Sequence, residues 1–433
     1  LWAADRLPEG DDLAHLYYEE REDLRIGVDS DGPVEVVPSR QQGICIRAGG
    51  ARPRSAFLSA PEPADVADLV ALTRGRSIGR ARLTGPARRT EPPTPWSPAL
   101  DAARGLCECA RQALSGIEAS VTASWVAFRQ RIRVALPGPV LRKDERSGAR
   151  VRLDVVAAGT SGPVTATAER ALRFPGHDAP LGDLADEVVS RLRELREAVP
   201  VSRGETPAVF APGTGGILIH ELVGHAVEAD TVLRRGSSLA ASGELGSKEV
   251  TVVDDPRRGR GAWRWDDEGV EARAVSLIER GKVVGFVSDL TTARRGSFPA
   301  SGHGRRSSYR ERVLPRMGCT FLTPGSRARQ EIVSATRRGI LVRRMEAAMV
   351  DPIAGRAILR VTDADTIVDG RRGSALLPFM LEVDLVSGLS SIDLVADDLE
   401  FDRCMGSCLR DGQPLTTSVG APTYRTRVAK VVL

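Results

Sequence analysis

The sequence predicts an α+β protein in two parts. The N-terminal part (residues 1–203) sets an antiparallel sheet against two or three helices, and the C-terminal part (204–433) is β-rich, barrel-like and carries one unusual helix. Three observations lead there. Before residue 200, helical and strand periodicities are mixed. After about residue 245, strand patterns joined by two-residue turn signals dominate. Between them, Pro200 to Pro207 marks a boundary. With 42% hydrophobic residues but only 4% aromatics, the core must be mostly Val, Leu, Ile and Ala.

The elements follow in order. AHLYYEE (14–20), the run around GICIRA (43–48) and RSAFLS (54–59) alternate as strands do. A helix is expected over about 62–74, with Val66, Leu69, Val70 and Thr73 on one face, and the proline-rich stretch 79–98 reads as a loop. The next helix starts on Ser97-Pro98 and stops at Gly116, the usual asymmetry of helix ends. Residues 124–136, 151–159 and 165–174 are extended, and a helix over about 181–198 closes the first part. In the second part, PAVFAP (207–212) is a strand that feeds an apolar run into HELVGH (220–225). Hairpins are expected at Arg280-Gly281 and Asp369-Gly370, and the chain closes with the strand YRTRVAKVVL.

Composition excludes several classes. The 61 basic and 57 acidic residues nearly balance and interleave, as in RLRELREAV (191–199), which argues against a nucleic-acid partner. Four lysines and no Asn at all read as the mark of a GC-rich genome. No apolar run approaches the roughly 20 residues that span a membrane. Six cysteines in so long a chain are no disulfide framework, and a reducing cytoplasm is the expected compartment. The first residue is not Met, so a leader cleaved ahead of Leu1 stays open.

HELVGH carries the chemistry. Two histidines four apart share a helix face, about 40° apart in rotation, whereas His220 and His225 are five apart and diverge by about 140°. A π-bulge would return them to one side, and Gly224 is placed to absorb it. Glu221 then stands beside the first ligand, where a general base belongs. Two imidazoles leave a tetrahedral site unfinished, so a third donor is needed from Cys, Asp or Glu elsewhere. The alternative is a core helix that holds two histidines by chance.

The surrounding residues resemble those of the TldD/PmbA (TldD/TldE) metallopeptidase family, whose signature is H-E-x-x-x-H. The likeness runs through HELVGHAVEAD, WDDEGV (265–270), GHGRRSSY (302–309), LPRMGCTFLTPG (314–325) and GSCLRDGQPLTTSVGAPT (406–423), and more weakly through HLYYEE and QQGICIRAG. It implies a TldD-like catalytic subunit with Cys408 as the third ligand. Cys404 lies outside the matching motif. It implies one divalent metal ion, zinc first and Fe2+ second, an enclosed site, and a heterodimer with a metal-less TldE/PmbA-like paralogue, a homodimer being the alternative. With that ligand set, the ion polarises the scissile carbonyl and acidifies water, and Glu221 moves the proton to the leaving amine.

Around this centre, Glu228 and Asp230 either orient a ligand histidine or merely finish the helix. His303, Arg305, Arg306 and Tyr309 either face substrate or form a structural salt bridge to the acidic WDDEG stretch, which itself reads as a turn ending on Gly269. Cys45, Cys107, Cys109 and Cys319 are expected to be buried thiols, and His15 and His177 carry no matching motif. One departure stands out. RRMEAAMVDP (343–352) replaces a glycine-rich segment of the family, which narrows and charges a ligand's approach. The expected function is thus a metal-dependent peptidase of small or unfolded peptides. Its alternatives are a pathway-specific amide hydrolase of a peptide-like metabolite and, remotely, a non-catalytic modulator subunit.

Overall fold

The structure is a computed structural model that describes Leu7 and residues 13–30, 32, 34–48, 54–59, 69–71, 73, 96–176, 181–235, 246–351, 354–402 and 405–432. The proline-rich loop up to residue 95, Val66, His177 and Cys404 lie outside the described residues. The architecture is α+β, mostly sheet with few helices.

Six strands, β1 (His15–Asp29), β2 (Val34–Ala48), β3 (Arg54–Ser59), β4 (Ala119–Ala135), β5 (Leu141–Gly159) and β6 (Gly162–Leu172), form one antiparallel sheet in the order β3-β2-β1-β4-β5-β6. β1, β2 and β5 run much longer than the sequence patterns suggested, because each continues past its apolar stretch into more polar residues, whereas β3 has the expected bounds. Strand parity divides the sheet into two faces. Leu24, Ile26 and Val28 of β1, with Val121, Ala123, Trp125 and Ala127 of β4, meet two helices, α1 (Ser97–Ala113) and α2 (Gly182–Leu195). Each helix buries one apolar stripe: Leu100, Ala103, Leu106, Cys107 and Ala110 on α1, and Leu184, Val188, Leu192 and Leu195 on α2. Residues 69–71 and 73 are helical, with Leu69, Val70 and Thr73 buried as the periodicity required. Ser97 lies within α1 instead of capping it; Trp96 holds the cap position without a side-chain hydrogen bond. Cys107 and Cys109 do point to different sides, but Cys109 is exposed, which corrects the expectation of a buried thiol.

The opposite parity of the sheet faces the C-terminal half and carries buried ion pairs beside a small apolar cluster that includes Cys45, Ile132 and Val134. Arg146 of β5 donates to Asp267 Oδ1 at 2.6 Å, with both side chains fully buried. Arg47 reaches Glu268 at 2.5 Å, and Tyr17 donates to Glu19 Oε2 at 2.9 Å. Burial pushes the Glu19 carboxyl up to about 7. A carboxyl whose folded pKa is raised favours the folded state least when it is ionised. Stability should therefore fall as pH climbs from about 4.3 towards about 7, then level off. Glu19→Gln should match wild type near pH 4 and gain on the order of 2 kcal/mol at about pH 8. Urea unfolding at both pH values checks this; a variant no more stable than wild type at the higher pH would refute it.

The C-terminal half contains two seven-stranded sheets and a short two-stranded one. In one seven-stranded sheet, strand Gly204–Phe210 pairs with Arg338–Asp351 and Tyr424–Val431, which leads through Phe379–Asp384 and Arg356–Val368 back to Arg338–Asp351. The pairings close a ring, so the barrel-like expectation holds for this sheet. Among the described residues the other, ordered around Val252–Asp254, Cys319–Leu322 and Gln413–Ala421, forms no such ring. Both expected hairpins are present, with Arg280 (φ 49°), Gly281 (84°), Asp369 (48°) and Gly370 (72°) left-handed. Among the described residues no helix is long and apolar enough to cross a membrane.

Candidate metal centre

The apolar run after Pro212 folds as a short helix, α3 (Gly215–Ile219), and passes into a π-helical turn, His220–Gly224. Leu218, Ile219, Leu222, Val223, Ala226 and Val227 all enter the main C-terminal core, so this segment is buried nearly all round. The His225 amide donates to the His220 carbonyl at 3.3 Å, the i→i+5 bond that returns the two imidazoles to one side. Their ring centroids are 5.2 Å apart. Gly224 closes the π-helical turn whose distortion it was expected to absorb. It is also closely packed: a Cβ there would collide with Met317 Sδ.

The third donor comes from a strand almost 200 residues away. Gly406–Arg410 pairs antiparallel with Gln413–Ala421, setting Cys408 opposite Leu415. Asp411 (φ 48°) and Gly412 (φ 76°) make the turn between them. Asp-Gly is the same turn signal that the sequence carries at Asp369-Gly370, and here it forms the hairpin that presents Cys408. Arg316 clamps the hairpin, donating to the carbonyls of Cys408 (2.6 Å) and Gln413 (2.9 Å).

The donor atoms of His220, His225 and Cys408 lie within 4.8 Å of one another. Cys408 Sγ is 3.3 Å from His225 Nε2, and Glu221 Oε2 is 3.6 Å from the same nitrogen. Glu221 is part-exposed, at 15% of its side chain, while His220 and Cys408 are buried. The charges are interdependent. Burial alone would raise the Cys408 thiol, but the two histidines hold it well below its usual range. Burial would lower His225, yet the Cys408 and Glu228 charges lift it well above the ordinary imidazole value. Two imidazoles and a favoured thiolate, converging beside a carboxylate, fit a zinc-type divalent ion with a position left open.

The other expected residues fall elsewhere. Glu228 Oε2 contacts His225 Nδ1 at 3.0 Å, as a ligand-orienting carboxylate would. Asp230 does not touch a histidine; it accepts from Arg410 at 2.7 Å. His303, Arg305, Arg306 and Tyr309 are not among the three converging donors, and the contacts they make are those of a structural network. His303 Nε2 is 3.0 Å from Asp254, and Arg305 stacks 4.2 Å over Trp263 with Asp267 at 3.5 Å. The Arg306 amide donates to Asp267 at 2.7 Å, and its guanidinium meets His15 at 2.9 Å. The Tyr309 hydroxyl lies 2.6 Å from Ser59 Oγ in β3. These side chains tie the ionic face of the N-terminal sheet to the C-terminal half, and every one is at least 96% buried. His15, without a motif, proves fully buried in the same network. Asp266 accepts from the amides of Glu268 and Val270, and Gly269 has φ 79°, so WDDEG is the expected turn.

Residues 343–351 of RRMEAAMVDP form an irregular part of strand Arg338–Asp351, with register shifts at Arg344, Met345 and Met349. Arg343, Arg344, Glu346 and the largely buried Met345 line a cleft of about 390 Å³ together with Asp402 and with Thr214 and Ile217, which just precede His220 in the chain. Burial, with the Glu169 charge nearby, raises the Asp402 carboxyl to about 7.

Fold and donor cluster together define a class: a mixed α/β chain presenting a His–His–Cys set from a π-distorted helix and a hairpin. Residues 203–432 match the family described as PmbA/TldA metallopeptidase C-terminal domain, and the chain belongs to this PmbA/TldD family. It is 32% identical over 232 residues to a "Metalloprotease TldD homolog" of Buchnera aphidicola, covering 51% of this chain and 47% of that protein. It is 28% identical over 249 residues to a "Zinc metalloprotease TldD homolog" of Saccharolobus solfataricus, covering 55% and 54%. The chain spans about half the length of the curated relatives it matches. The crystal structure of TldE from Thermococcus kodakarensis shares the fold with a TM-score of 0.74 at 18% identity, over 97% of this chain and 96% of that one.

Proposed function

We propose that this chain is the metal-binding subunit of a metal-dependent peptidase, with His220, His225 and Cys408 holding one divalent ion and Glu221 as the proton-transfer group. The convergence of the three donors within 4.8 Å, beside the only partly exposed carboxylate of the helix turn, carries this reading. The zinc in one relative's name makes zinc the first choice and Fe2+ the second. A bound divalent ion supplies electrophilic polarisation of a carbonyl and acidification of water. Glu221 then accepts a proton and returns it to the leaving amine, which its exposure permits. Glu228 holds the His225 ring so that Nε2, not Nδ1, faces the other donors. We further propose that the chain divides into domains at residues 203/204, works in the cytoplasm on small or unfolded peptides, and pairs with a metal-less paralogue.

Metal analysis of the purified chain and of Cys408→Ser tests the site. About one equivalent of zinc is expected for wild type, with affinity reduced roughly 100-fold or more in the variant, because a hydroxyl is a far poorer zinc donor than a thiolate. Wild type without stoichiometric metal would leave only the non-catalytic subunit reading.

A second reading is favoured by one observation. The cleft ahead of His220 is lined by Arg343, Arg344 and Glu346, charged side chains that suit one polar molecule better than many sequences. A pathway-specific amide hydrolase acting on a peptide-like metabolite fits that lining. Turnover of a small charged amide, with no cleavage of unstructured peptides, would select it.

A further inference from the structure

One buried guanidinium ties together the two segments that bring the donors together. Arg410 lies two residues beyond Cys408 on the Gly406–Arg410 strand. Its NH1 pairs with Glu228 Oε2, the same oxygen that lies 3.0 Å from His225 Nδ1. Its NH2 donates to Asp230 Oδ1 at 2.7 Å and to Thr231 Oγ1 at 3.0 Å. NH1 also reaches the Pro315 carbonyl at 3.3 Å. Arg410 and Glu228 are almost wholly buried, at 11% and 1% side-chain exposure.

We propose that Arg410 is a positioning residue for the metal centre: it fixes the Glu228 carboxylate so that His225 presents Nε2 to the ion in register with Cys408. This rests on the metal-centre reading given above. The physical reason lies in the carboxylate's situation. Glu228 Oε1 is buried with no hydrogen-bond partner among the described residues, so Oε2 carries both of the contacts that orient the group. Without Arg410, a buried charge would have one imidazole to hold it and would be free to turn. His225 would then lose the acceptor that fixes its tautomer and ring plane. The guanidinium fork suits the task because its two ends serve two carboxylates at once, which an ammonium cannot do in one fixed plane. Its attachment to the Cys408 strand means that the same contact sets the distance between hairpin and helix turn.

The test is chelator-competition measurement of zinc affinity for full-length wild type, R410M, R410K, E228Q and the double variant E228Q/R410M, with thermal unfolding of the zinc-free forms in parallel. R410M and E228Q should each weaken zinc binding about 10- to 100-fold. The double variant should bind within about threefold of the weaker single variant, since both break one chain of contacts. R410K should recover part of the loss while staying at least about threefold weaker than wild type. Should R410M fail to fold, the comparison of R410K with wild type decides. A purely structural staple would lower the zinc-free unfolding temperature while leaving zinc affinity within about twofold, and that result overturns the proposal. Effects that multiply in the double variant overturn it as well. Zinc binding in wild type with an unaltered R410M sinks only the role of Arg410, whereas wild type that binds no zinc sinks it together with the metal-centre reading.

Discussion

Glu221→Gln will retain zinc and lower amide hydrolysis by roughly 10²–10⁴-fold, the usual cost of removing a general base. Glutamine keeps the size and hydrogen-bonding reach of the side chain but has no basic oxygen to take a proton. The side chain is not one of the three converging donors, and it is the partly exposed member of the group. Metal content and turnover should therefore separate. Zinc quantification beside a peptide-cleavage assay checks this, and activity equal to wild type would show that the proton is handled elsewhere. Loss of metal in the same variant would instead make Glu221 a ligand.

Gly224→Ala should damage the site without touching a donor atom. The added methyl meets Met317 Sδ, and Met317 is only 1% exposed and packed into the main core. Overpacking of this kind costs about 1–3 kcal/mol. It also pushes apart the π-turn and the segment whose neighbouring Arg316 holds the Cys408 carbonyl, so zinc affinity should fall along with stability. Met317→Ala alone leaves a cavity and costs about 2–5 kcal/mol. Combined with Gly224→Ala it should cost at least about 1 kcal/mol less than the sum of the two, because the new methyl occupies vacated space. Denaturant unfolding of the four proteins measures that coupling. Strict additivity would mean that the glycine serves backbone geometry instead of packing.

Much of the site could be read before any fold was known. The five-residue spacing of His220 and His225 fits one ion only on a bulged helix, and the His225–His220 amide bond is the one that such a bulge requires. Cys408 came from a family resemblance; nothing in local spacing points to it, because its approach depends on a hairpin and on Arg316 and Arg410. The reading of His303, Arg305, Arg306 and Tyr309 shows the opposite limit. Donors of these types suit a substrate or a buried salt bridge equally well, and only their surroundings distinguish the two. Asp267, Asp254, His15 and Ser59 supply those surroundings from segments distant in sequence. Strand lengths were underestimated for a related reason. Charged alternation looks like surface until the opposite strand parity is found to face the second half of the molecule, as Tyr17, Glu19 and Arg146 do.

By itself, then, the sequence determined what depends on neighbours along the chain: the α+β pattern, the left-handed turns at Arg280-Gly281 and Asp369-Gly370, and the pairing of two histidines with one carboxylate on a short helix. Tertiary structure decided what depends on distance through space. It chose which arginines are ion-paired and buried, why residue 224 has no side chain, and how a thiol from residue 408 meets imidazoles at 220 and 225. Periodicity and turn conformation are local steric properties, whereas the fate of a buried charge depends on which partner the fold delivers to it.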